Sequence, residues 1–144
     1  MNATIVMPEN PDPRIRAALL DLMLTFNESR TGPSGFGPLA LILEDPTSGD
    51  LIGGLWGRTV YDWLFVEFLF VPEQLRGQGL GTELLRKAEE AALARGCIGV
   101  CLDSFDFQAP GFYPKFGYQV IAVLDSPRRG FKRRFFSKLL EEPK

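Results

Sequence analysis

No stretch limits what this chain can fold into more than the one from Phe65 to Arg95. Phe65-Val66-Glu67-Phe68-Leu69-Phe70 is an apolar and aromatic run that reads as a buried strand. Val71 to Thr82 follows, carrying Arg76-Gly77-Gln78-Gly79-Leu80-Gly81, and then a helical run from Glu83 to Arg95. Strand, glycine-rich turn and helix place several backbone N–H groups at a helix start with no side chains in the way. First-turn donors lack intrahelical partners and the helix dipole adds positive potential there, so such a place binds anions. The segment is expected to cradle a diphosphate.

Spacing narrows the choice of diphosphate. The dinucleotide fingerprint is G-x-G-x-x-G, and Gly77-Gln78-Gly79-Leu80-Gly81 fails it by one residue. The mononucleotide loop needs a Gly-Lys pair, and the chain has none. What remains, a basic residue with glycines at the third and fifth places after it, resembles the [QR]-x-x-G-x-[GA] hallmark of the GNAT superfamily of acetyl-coenzyme A dependent N-acetyltransferases. A second resemblance lies downstream. In that family a short helix reads N-x-x-A-x-x-x-Y-x-x-x-G-[FY], and Asp106, Ala109, Tyr113, Gly117 and Tyr118 fall in the same register, with aspartate in place of asparagine.

Size and composition agree with a single enzyme domain spanning residues 1–144. A hydrophobic share of 45% with 24% charged residues is ordinary for a globular chain, and the net charge of −2 argues against a nucleic-acid surface. Cys97 and Cys101 sit in an apolar run, which points away from a disulfide framework and toward a reducing cytoplasm. No apolar run is long enough to span a membrane, and Met1-Asn2-Ala3-Thr4 lacks a signal-peptide pattern. Histidine is absent, so acid–base chemistry falls to carboxylate, tyrosine or lysine, and no metal site is expected.

Along the chain, Ala3 to Met7 reads as a short first strand. Asp12 is an N-cap with Pro13 behind it, and Ile15, Leu19, Leu22, Met23 and Phe26 mark an amphipathic helix ending near Arg30. Thr31 to Pro38 is rich in Gly and Pro and reads as a mobile loop, either a plain connector or a lid over the acceptor. Strands are expected over Leu39–Glu44, Leu51–Val60 and Trp63–Val71, with Gly53, Gly54 and Gly57 signalling a bulge or close backbone approach. Leu84, Ala88 and Ala91 form the apolar stripe of the helix after the turn, and Glu83 with Lys87 makes an i,i+4 pair. The apolar strand Ile98–Asp103 then implies a parallel βαβ unit. Phe107 to Gly117 is a short helix containing Pro114, Tyr118–Val123 a strand, and the cationic tail to Leu140 a final strand read as a solvated edge.

The resemblance implies a mixed α/β (α+β) GNAT fold. Its central sheet has six to seven strands, with an antiparallel N-terminal meander, a βαβ cofactor unit, and fourth and fifth strands that splay apart, counting Ala3–Met7 as the first. It further implies that Arg76, Gly77, Gln78, Gly79, Leu80, Gly81 and Thr82 hold the acetyl-CoA diphosphate. Leu69 and Val71 would pair with the pantetheine arm, an amide near Leu69 or Phe70 would meet the thioester carbonyl, and Asp106 would stand where asparagine bonds the arm. Tyr113 occupies the family's place for an acid that protonates the departing thiolate. For a base, Glu67 is the one acid inside an apolar strand and is expected to share a face with Leu69 and Val71 by the period of two. Asp103 and Asp106 are weaker candidates. The activity implied is acetyl transfer to a primary amine of a small molecule. Alternatives are a protein lysine or N-terminal acetyltransferase and a non-catalytic acyl-CoA binding module. The acceptor pocket is expected near the first helix, the Thr31–Pro38 loop, Tyr61 and Phe131. A small domain with edge strands also suits a homodimer.

Overall fold

A computed structural model of the chain describes residues 1–109 and 111–141. Clustering of contacts divides the chain into two compact units, Met1–Ser34 and Gly35–Lys144. The first unit is built on helix α1, Pro13–Thr31. Asp12 caps it as the sequence suggests, Oδ1 accepting the Arg14 N–H at 2.9 Å, and Pro13 supplies a fixed φ where no N–H is needed. Gly32 closes it at φ 82°, its N–H donating to Glu28 O. The apolar stripe Leu19, Leu22, Met23 and Phe26 is exposed. Ala3–Met7 is not a strand. Five residues with a suitable composition form one only when a neighbouring strand takes up their hydrogen bonds.

Among its described residues the second unit carries six strands: β1 Gly37–Glu44, β2 Leu51–Val60, β3 Trp63–Phe70, β4 Gly99–Phe105, β5 Gln119–Ser126 and β6 Phe131–Leu139. Between them lie a 3₁₀ turn at Glu73–Leu75, helix α2 at Leu80–Ala94, and a single helical turn, α3, at Phe112–Lys115. The sheet order is β1-β2-β3-β4-β6-β5. Only β3 and β4 run parallel, joined by α2 as a crossover; the other pairs are antiparallel. The fold is therefore the mixed α+β sheet expected from the sequence, with six strands.

α2 packs its buried residues Leu85, Ala88 and Ala92 against one face of the sheet, where Leu64, Val66, Val100 and Leu102 project. Gly53, Gly54 and Gly57 are there because neighbouring backbone is too close for a side chain. A Cβ on Gly57 would meet Phe65 O at 2.5 Å, one on Gly53 would meet Phe70 O at 2.6 Å, and one on Gly54 would collide with Leu41 O. A register shift between Trp56 and Gly57 sits beside them, the bulge that these glycines forecast.

Three expectations change. β6, the cationic strand, lies inside the sheet between β4 and β5, and the edge on that side is β5. Its cations are taken up by acids on neighbouring elements: Arg133 by Asp103, Arg134 by Asp106, and Lys138 by Glu89. The segment Gly35–Pro38 is pinned, not free: Arg95 donates to Gly37 O and Pro38 O, and Thr59 Oγ1 to Gly35 O. The helix expected from Phe107 contracts to Phe112–Lys115, because Pro114 lacks a donor; Pro110, in the same stretch, lies outside the described residues.

Candidate active site

β3 and β4 hold the site open. Their parallel ladder runs from Trp63–Gly99 through Leu64–Val100 and Phe65–Cys101 to Val66–Leu102, and stops there. Both strands continue, β3 to Phe70 on the β2 side and β4 to Phe105 on the β6 side. Beyond Val66 the inner backbone edges of Glu67–Phe70 and Asp103–Phe105 are thus not used for pairing with one another. An extended amide-bearing chain has hydrogen-bonding edges to meet on either side of such a cleft.

At the head of the cleft the glycine-rich turn takes the form expected for an anion site. Gly79 is the N-cap of α2 in the left-handed region, φ 80°, and Gly77 is likewise at φ 83°. No side chain caps the helix start, so the amides of Leu80, Gly81 and Thr82 are first-turn donors without intrahelical partners. A Cβ at Gly77 or Gly79 would meet nothing within 4 Å, so their outer side is open space, while one at Gly81 would touch the Phe112 ring at 3.4 Å. Gln78 is exposed and Thr82 half-buried. Arg76 is exposed; its Nε donates to Val71 O at 2.9 Å and its guanidinium lies 6.0 Å from the Phe70 ring centre. That bond ties the turn back onto the end of β3 and occupies the Val71 carbonyl. Donors, positive-φ glycines and free space together fit a diphosphate.

Glu67 stands where the strands part. The bulge skips it in the register with β2, between Val66, which pairs with Gly57, and Phe68, which pairs with Trp56. Its Oε1 accepts from Arg58 Nη1 at 2.6 Å, and Arg58 lies 5.0 Å over the Phe65 ring. Leu69 pairs instead with buried Leu55. Glu67 therefore does not share a face with Leu69, because the extra residue breaks the strict alternation that the sequence reading assumed.

Tyr113, on α3, is 8% exposed, enclosed by the rings of Phe112, Tyr118 and Phe136. Burial pushes its phenol up to about 12, and the nearby Asp103 charge adds to the effect. Tyr118 donates its hydroxyl to Glu89 Oε2 at 2.8 Å, and Lys138 bonds the same carboxylate. Burial and this acceptor raise the Tyr118 phenol as well, and the trio ties α2 to β6. Asp106 is held on the β6 side by an ion pair with Arg134 and by the Lys132 N–H at 3.2 Å. With Ser104, Phe105, Ala109, Arg134 and Phe136 it lines a cavity of about 230 Å³. Asp103 pairs with Arg133 Nε at 2.6 Å.

Of the predicted residues, Glu67 and Asp103 stand where β3 and β4 part, the glycine-rich turn leads from the end of β3 into α2, and the Asp103 charge reaches Tyr113. It does not bring Tyr61 there: Tyr61 heads the β2–β3 turn, at the opposite end of β3 from the opening. Phe131 packs with Phe105 and Phe107 at the β4 end. Arg58 escaped the sequence reading. Its signal was a lone cation in β2, set opposite Phe65 on the strand that carries Glu67. Among the described residues no group of three or more His, Cys, Asp or Glu is placed to hold a metal ion.

A parallel strand pair that opens midway, headed by an uncapped glycine-led helix, is the arrangement that the resemblance in the sequence implied. The chain belongs to the acetyltransferase (GNAT) family, whose model matches residues 5–118. It is 35% identical over 119 residues to an acetyltransferase, Atu2258, of Agrobacterium fabrum, covering 83% of this chain and 86% of that protein. To blasticidin-S acetyltransferase of Streptomyces morookaense it is 47% identical over 77 residues, 53% of this chain and 57% of that one. The structure superposes on an acetyltransferase from Bacillus cereus with a TM-score of 0.74 at 30% identity, covering 94% and 98% of the two chains. The protein is an acyltransferase, and members of its family use acetyl-CoA.

Proposed function

We propose that residues 1–144 act as one catalytic domain that moves the acetyl group of acetyl-CoA directly to a primary amine of a small molecule, both substrates being held together. The observation that carries this reading is the parting of β3 and β4 after Val66, with the α2 amides at one end of the opening and Glu67 at its mouth. The similarity to blasticidin-S acetyltransferase favours a small acceptor over a protein. Cys97 and Cys101 are free thiols, which suits a cytoplasmic setting, and among the described residues no helix is long and apolar enough to cross a membrane.

In this reading the amides of Gly77–Thr82 bind the diphosphate, with Arg76 adding charge, and Leu69, Val71 and Asp106 line the path of the pantetheine arm. The Val71 N–H is the group left for that arm, since its carbonyl receives Arg76. An amide at Leu69 or Phe70 stabilises the negative charge that develops on the thioester oxygen, worth a few kcal/mol when prearranged. Glu67 takes the proton of the incoming ammonium through a water, its carboxylate kept in place by Arg58. Tyr113, a phenol at any ordinary pH, gives its proton to the departing sulfur. Juxtaposition of amine and thioester supplies much of the remaining acceleration.

The test is release of free coenzyme A thiol from acetyl-CoA with a panel of small amines, beside calorimetric titration with acetyl-CoA alone. Amine-dependent release supports the reading. Binding without release for any amine or lysine peptide leaves a non-catalytic binding module; release with peptides alone leaves a protein acetyltransferase.

A further inference from the structure

Glu67 and Asp103 stand in equivalent places. Phe65 pairs with Cys101 and Val66 with Leu102, so Glu67 and Asp103 are the next residues along each strand, flanking the point where the ladder stops. Each carboxylate is tied to a guanidinium on the outer neighbour of its own strand: Glu67 to Arg58 of β2, and Asp103 to Arg133 of β6, both at 2.6 Å. All four side chains are partly exposed, 27% and 33% for Glu67 and Arg58, and 26% and 40% for Asp103 and Arg133. Paired strands lie roughly 5 Å apart, so these two acids, one step past the last pair, flank the point where the strands part, with a base outside each.

The quartet is electrically balanced, two carboxylates against two guanidiniums. A polycation entering it would meet as much repulsion as attraction. A molecule with one positive and one negative group can satisfy both kinds of charge at once. The unused hydrogen-bonding capacity is of the same two kinds. Arg133 spends Nε on Asp103, and its two terminal nitrogens make no hydrogen bond among the described residues; Asp103 spends Oδ2 and keeps Oδ1. A guanidinium fork with a free edge matches a carboxylate in two parallel bonds. Phe105 and Phe135 face the Arg133 guanidinium at 5.6 and 5.1 Å and hold its plane.

We infer that the acceptor is an amine that also bears a carboxylate: its ammonium enters between Glu67 and Asp103, and its carboxylate docks on the terminal nitrogens of Arg133. Arg133 and Asp103 are then specificity residues of the acceptor site. This rests on the acyl-transfer reading above. The charge sensed by Tyr113 from Asp103 is consistent with Asp103 lying at the reacting end of the cleft.

The experiment measures thiol release by the full chain with two matched sets of amines: lysine, lysinamide and cadaverine, and ornithine, ornithinamide and putrescine. The acid form is expected to exceed both carboxylate-free forms about tenfold or more in kcat/KM, most of it in KM, as a bidentate ionic contact implies. Arg133→Gln should shrink that ratio to near unity, Arg133→Lys should restore part of it, and Asp103→Asn should raise KM for every amine. Thermal midpoints and calorimetric affinity for acetyl-CoA confirm that the variants are folded. Carboxylate-free amines that match or beat the acid forms overturn the inference and leave acetyl transfer standing, as does a preference that survives Arg133→Gln. Failure of every amine with the wild-type chain overturns both.

Discussion

Tyr113 shows how one side chain can be set by its surroundings. Enclosed by aromatic rings, its phenol is held neutral, with the proton lost only near pH 12. Tyr113→Phe should leave the affinity for acetyl-CoA unchanged in calorimetry and lower kcat by about 10²-fold, the usual worth of a placed acid. The wild-type kcat should show no alkaline fall from this group below about pH 11. Gly54 is constrained in a different way, by a backbone φ of 138° and by the neighbouring Leu41 carbonyl. Gly54→Ala should cost roughly 2–4 kcal/mol, read as a lowered midpoint in urea unfolding.

Among the elements, α2 is the one on which the cleft depends, since its first turn supplies the amides and its buried face holds β3 and β4 at their distance. Leu85 is 1% exposed on that face. Leu85→Ala should destabilise the fold by roughly 2–5 kcal/mol in chemical denaturation, a cavity having no neighbour free to fill it. β5 presents the opposite situation: Val120, Ile121, Val123 and Leu124 are exposed on an edge strand. Were two copies to pair through this edge, Ile121→Lys should lower the mass seen in light scattering, a charge on an edge strand opposing strand addition. The succession of these six strands along the chain and the α2 crossover were legible in the sequence because each depends on local pattern: alternation, glycine punctuation and the length of the Glu83–Arg95 run. The splay could be read only through the resemblance carried by Gly77–Gly81 and Tyr113. What could not be read was where β6 inserts. Its cations suit an exposed edge and a paired interior position equally well, and the acids that receive them, Asp103 and Asp106, lie far away in sequence. The face of Glu67 was hidden because the period of two within Phe65–Phe70 carries no mark of the extra residue there; the signal for the bulge lay in the glycines of β2.

At the scale of the molecule, several buried acids favour the folded chain only while protonated. Tyr113 and Tyr118 are raised by burial above the ordinary phenol value of 10.0, Cys97 above the thiol value of 9.0, and Cys101 to about 11. Each folded value exceeds its unfolded one, so the stability they contribute is complete below about pH 9. It is lost as pH rises toward 12. The denaturation midpoint should fall steeply across that window, and Cys101→Ala should move the onset upward. Arg95, immediately after the last turn of α2, gives this molecule a further property. Its guanidinium grips the carbonyls of Gly37 and Pro38 where the first strand begins, while the other end of the same rod carries the Gly77–Thr82 turn. A ligand seized at one tip therefore pulls on a lever whose far tip is bolted to the outermost strand of the meander. Backbone protection in deuterium exchange should rise at Leu39 and Ala40 when acetyl-CoA is added, although neither lies near the opening between β3 and β4.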